Sequence, residues 1–235
     1  MINALFPLLN GIDGLFSDAL TWPVRVCIWG VASGALAMGV YALLSPQAAI
    51  RRLKDRAREL RGSMLRPEFS ETPFGPTARE NLRVSFALLA RTAGPTLIAA
   101  LPVLVTAIWI DITHGYVLPE AGTLKVLTSE QESAPDVRLI VSSGKTLIVM
   151  AGHQKIYEGL VTATPFLEKR HWWNSLVEAP AGYLVSDSPV EQVALNVRRR
   201  DVWARMAEWA AGWEAPFFMF VFAAALFFKF RYRID

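Results

Sequence analysis

Three blocks of the chain are too long and too apolar to sit comfortably in a soluble core. They read "WPVRVCIWGVASGALAMGVYALL" at 22–44, "TAGPTLIAALPVLVTAIWIDI" at 92–112 and "WEAPFFMFVFAAALFFKF" at 213–230. Each approaches the roughly 20 apolar residues that a helix needs to cross a hydrocarbon core of ~30 Å. The chain as a whole is 53% hydrophobic and 11% aromatic, and the excess lies in these blocks. Trp22, Trp29, Trp109 and Trp213 stand at or near their ends, where an amphipathic ring meets both lipid and water. The blocks therefore predict three transmembrane helices and an integral membrane protein.

Charge orients them. The segment 45–91 carries ten basic residues, among them Arg51, Arg52, Lys54, Arg56, Arg58 and Arg61, against five acids. The tail after the third block adds Arg231 and Arg233, with Lys229 just before it. Nothing basic precedes Arg25, and between 113 and 212 acids outnumber lysine and arginine. Basic loops stay on the cytoplasmic side. The N-terminus and residues 113–212 are thus expected outside, and 45–91 with the tail 231–235 in the cytoplasm. A disulfide-free outer region in a membrane with this bias suits a bacterial inner membrane. Cys27 is single and lies in an apolar run, which suits a small buried hydrophobe.

Residues 1–21 lack the basic start of a cleavable signal. Ile2, Leu5, Leu9, Ile12, Phe16 and Ala19 recur at three- and four-residue steps opposite Asn3, Asn10 and Ser17. That spacing predicts an amphipathic helix lying in the outer leaflet. In "LLSPQAAIRRLKDRARELRGSML", Ser45 and Pro46 suit a helix start, and Ala49, Leu53, Ala57, Leu60 and Met64 form a narrow apolar stripe. A stripe this narrow predicts a coiled-coil-like seam for one partner helix. The residues that match it, Leu82, Phe86 and Leu89, lie in a second arm across a turn rich in proline. The loop reads as a basic cytoplasmic helical hairpin, or as an amphipathic helix resting on anionic lipid.

Between 113 and 212, segments such as "DVRLIVSSG", "KTLIVMAG" and "EQVALNVRRR" alternate β-favouring residues with Gly, Ser and Asp. They predict a small external β-sandwich-like domain ending in an amphipathic helix that leads back to the membrane. His114, His153 and His171 form no metal-ligand pair and no triad motif. No cofactor, metal or enzymatic chemistry is expected, and no specific nucleic-acid recognition. His171, Trp172 and Trp173 in "EKRHWWNSL" are candidates for contact with an external partner or the bilayer surface.

The order of a span, a Pro-started basic hairpin and a Gly/Pro-punctuated span resembles the YidC/Oxa1 membrane-insertase superfamily, in its reduced three-span branch. "LLARTAGPTLIAALPVLVTAIWI" is similar to the elbow that opens the family's next core helix, with Gly94, Pro95 and Pro102 as its bend. The resemblance covers about the first 112 residues plus the third block. It implies a groove, open to lipid and cytoplasm, that receives a client transmembrane segment without covalent catalysis. Arg25, Ser33, Tyr41, Thr96 and Thr106 are the candidate groove residues. The implied partners are the bilayer, membrane-protein clients or a membrane complex, and a ribosome or other cytoplasmic partner at the hairpin. Bacterial members carry a groove arginine; the corresponding place here is near Tyr41, and no basic residue lies between Val26 and Ile50. That leaves open a structural subunit that keeps the fold without inserting clients.

Overall fold

The computed structural model describes residues 2–64, 74–117, 124–127, 137–142, 146–160, 163–172, 174, 179, 181–203 and 211–234. Five α-helices are assigned among them: α1 (Phe6–Ser17), α2 (Trp22–Leu44), α3 (Gln47–Met64), α4 (Phe74–His114) and α5 (Glu214–Tyr232). Three of these, α2, α4 and α5, contain stretches long and apolar enough to cross a membrane. The chain divides into two compact units. One comprises Met1–Val26 and Ala107–Pro216, the other Cys27–Thr106 and Phe217–Asp235.

The second unit is helical. Its α2 and α5 segments meet through glycine: a Cβ at Gly30 would lie 2.6 Å from the Phe217 carbonyl oxygen, and one at Gly34 2.6 Å from that of Val221. Glycine at a four-residue step lets two helix backbones approach where any side chain would hold them apart. Phe217, Val221 and Ala224 are the buried face that α5 contributes.

Helix α4 bears on two expectations. The second hairpin arm and the second span are one continuous helix, with Pro95 and Pro102 inside it. Gly94, Pro95 and Pro102 therefore lie inside the helix and not in a connection between hairpin and span. Each proline removes one i→i−4 hydrogen bond, releasing the carbonyls of Arg91 and Ile98. The expected seam also differs. Ala57 and Leu60 of α3 are buried as predicted, but Leu82, Phe86 and Leu89 are 59%, 67% and 61% exposed. They lie on the same side of α4 as the exposed Leu97, Leu101 and Leu104, so the long rod carries one outward apolar row. The Arg56 guanidinium of α3 reaches Glu80 of α4 at 2.7 Å.

The first unit holds α1, the end of α4 and a small β region. β3 (Val137–Ser142), β4 (Thr146–Ala151) and β5 (Gln154–Leu160) form one antiparallel sheet. β2 (Val126–Leu127), β7 (Gln192–Leu195) and β6 (Phe166–Glu168) form a second. Strand β4 buries every other residue, and Gly152, at φ 61°, makes the tight turn into β5. Leu147, Val149 and Ile156 of the first sheet and Leu167, Val193 and Leu195 of the second share a single hydrophobic cluster. A two-residue ladder of β1 (Tyr116–Val117) with β8 (Arg198–Arg199) pairs the chain leaving α4 with the chain returning toward α5. The amphipathic helix expected at the end of this region falls largely on 204–210, outside the described residues.

Candidate functional site

In the second unit a cavity of ≈460 Å³ opens among α2, α4 and α5. Met38 and Tyr41 come from α2, Ala99 and Val103 from α4, and Phe218 and Phe222 from α5. Thr96 also lines it, but its hydroxyl donates to the Thr92 carbonyl at 2.7 Å and so serves its own helix. Lys229 supplies the single cation of this lining. Apart from Lys229, Tyr41 and Thr96 the lining side chains are apolar, which suits an apolar occupant fixed by few polar contacts.

Of the five groove candidates, Tyr41 and Thr96 line this cavity. Ser33 is buried at 3% exposure and is not part of the lining. Thr106 is buried as well and donates to the Pro102 carbonyl at 2.9 Å. Arg25 belongs to the first unit.

There Arg25 takes part in a cluster that reading the sequence missed. Its Nη2 lies 3.1 Å from Asp13 Oδ2, with both side chains almost fully buried. His114 Nε2 lies 3.3 Å from the same oxygen. The Trp22 ring sits 4.6 Å from His114, with the Arg25 and Arg200 guanidinium carbons 5.3 and 5.5 Å from its centre. Trp109 Nε1 donates to Asn10 Oδ1 at 2.7 Å. Helix α1 thus directs Asn10 and Asp13 toward the chain, while Leu8, Leu15 and Phe16 face outward. Buried charge of this kind persists only when paired. The legible signal was an acid at 13 and a base at 25 in a stretch otherwise nearly free of charge.

The basic residues of α3 behave as a solvated face: Arg51, Arg52, Arg56, Arg58 and Arg61 are exposed, and Lys54 is half-buried. In the loop after β6, Lys169 Nζ donates to Glu191 at 2.8 Å and holds its carboxyl below the usual range. His171 donates its backbone N–H to Asn174 at 2.9 Å, and His171 Nε2 lies 3.9 Å from Glu191. Trp172 is 83% exposed. Trp173 lies outside the described residues.

Among the described residues no group of three His, Cys, Asp or Glu side chains is placed to hold a metal. No known protein family, curated protein or solved structure matches the chain.

Proposed function

We propose that this chain is a YidC/Oxa1-like membrane protein that assists the insertion, folding or assembly of other membrane proteins. In this reading α2, α4 and α5 cross a bacterial inner membrane, the basic hairpin and tail are cytoplasmic, and the β region is an external sandwich that docks partners. The observation that carries it is the apolar cavity among the three spanning helices. A client helix laid there buries one apolar face on Met38, Val103 and Phe222, while its remaining faces stay in lipid. Lys229 supplies a cation at the groove, where the family's bacterial members use an arginine from another helix. Transfer then needs no covalent step, only a lower barrier for polar flanks.

A second reading, a dedicated subunit of a membrane complex, is favoured by the β region. Ile140, Leu160, Phe166 and Trp172 are exposed there and suit a constant partner. Photocrosslinking in cells separates the two. Probes replace Tyr41 and Ala99 in the groove and, separately, Trp172 in the loop. The insertase reading expects many nascent membrane proteins at the groove positions. One constant partner at every position overturns it and leaves the dedicated subunit.

A further inference from the structure

A second feature of the helical unit has a different chemistry from the groove. Arg51, Lys54 and Arg58 follow one another on α3 at steps of three and four, which places them on one side of the helix. After α5 the chain turns at Arg233, in the left-handed region at φ 51°. Its carbonyl accepts a hydrogen bond from Arg51 Nη2 at 3.1 Å. These four cations and Asp55 line an open pocket of ≈290 Å³. Asp55 faces Arg58 at 3.5 Å, both well exposed, so one carboxylate stands against four positive side chains.

Adjoining it is a cavity of ≈480 Å³ with an apolar wall, made by Ala35, Gly39 and Ala42 of α2 and Phe228 and Tyr232 of α5. Arg51 and Arg233 line both cavities. Small residues at steps of four and three leave a slot along α2, and Tyr232 stacks on Phe228 at 5.7 Å beside it. A soluble anion has no use for the slot, and a neutral apolar molecule has none for the cations. A molecule with an anionic head on a hydrocarbon chain uses both.

We infer that this is a binding site for an anionic glycerophospholipid. The phosphate lies among Arg51, Lys54, Arg58 and Arg233, and one acyl chain occupies the slot between α2 and α5. Basic pockets at the ends of spanning helices hold such headgroups by charge, and the chain adds apolar burial. The site does not depend on insertion activity, since a dedicated subunit would carry it equally.

The test uses the full-length protein in mild detergent and native mass spectrometry with equimolar phosphatidylglycerol and phosphatidylcholine. The wild type is expected to retain phosphatidylglycerol preferentially. Lys54→Gln and Arg58→Gln each lower that retention by about fivefold and leave phosphatidylcholine unchanged. Arg58 is 84% exposed at the side chain, so its loss leaves the fold intact. Gly39→Leu fills the slot from a position where an added Cβ meets nothing within 4 Å. It is expected to lower retention while both charge variants remain folded by circular dichroism. Equal retention of the two lipids overturns the inference, as does unchanged phosphatidylglycerol retention in the charge variants. If millimolar inorganic phosphate displaces the lipid and Gly39→Leu has no effect, the pocket is a simple anion site, and the lipid assignment fails.

Discussion

Asp13 brings its carboxylate to a place where its side chain is 6% exposed, and two groups from distant parts of the sequence meet it there, Arg25 and His114. Removing both charges from water costs several kcal/mol per ion, which their attraction only partly returns. The pair is therefore weak evidence of net stability but strong evidence of placement: with Asp13 paired, α1 has one position against the unit that contains it. The consequence is asymmetric. Asp13→Ala leaves the Arg25 guanidinium buried and is expected to destabilise by about 3–5 kcal/mol. Adding Arg25→Leu removes the orphaned charge and is expected to recover most of that loss. Denaturant unfolding in micelles, followed by tryptophan fluorescence, measures both. A single variant as stable as the wild type would show that water or lipid headgroups solvate Arg25 as well as Asp13 does.

At the scale of elements, the contact between α2 and α5 depends on Gly30 and Gly34. A leucine at either position places its Cβ against a backbone carbonyl, Phe217 or Val221, which a side-chain rotation cannot relieve. Gly34→Leu is expected to cost about 1–3 kcal/mol by overpacking. It should also alter crosslinking between cysteines at Ala37 and Phe218, which line the groove from the two helices. Gly39→Leu, whose added Cβ meets nothing within 4 Å, should leave both readouts unchanged. The apolar blocks were legible because hydropathy along the chain is a local property, and α2 spans Trp22–Leu44 as the block itself does. The glycine pair was legible too, as G-x-x-x-G inside an apolar run. The course of α4 was not. Proline in a sequence reads as a break, yet whether it breaks a helix depends on what surrounds the released carbonyls. The seam failed for a related reason: Leu82, Phe86 and Leu89 have the right spacing, but the rotation of a long rod is set by all of its contacts. Tyr41 and Thr96 came together at the cavity because both sit on spanning helices whose order was readable. Asp13 with Arg25 and His114 is a tertiary contact: the isolated acid and base at 13 and 25 were a signal for the ion pair, but nothing local placed His114 beside them.

At the scale of the molecule, the distribution of charge makes a prediction that contacts within the fold do not. Exposed arginines run along α3, and further cations close α5 at Lys229 and Arg231. The β region carries acids and bases in near balance. Translocating α3 would move its cations through the bilayer, each at a cost of a few kcal/mol, whereas the β region carries no comparable excess. The N-terminus and β region are therefore expected on one side of the membrane, and the hairpin and C-terminus on the other, in the cytoplasm. In a Cys27→Ser background, single cysteines replace Arg61 on α3 and His153 in the turn between β4 and β5, both exposed positions. An impermeant maleimide applied to spheroplasts is expected to label His153→Cys at once, and Arg61→Cys only after permeabilisation. The reverse pattern would place the basic helix outside. It would then remove the cytoplasmic groove from the functional reading, because a client delivered from the ribosome could not meet it. The lipid site would survive that reversal, since it requires a leaflet of anionic lipid beside α3 and no particular side of the membrane.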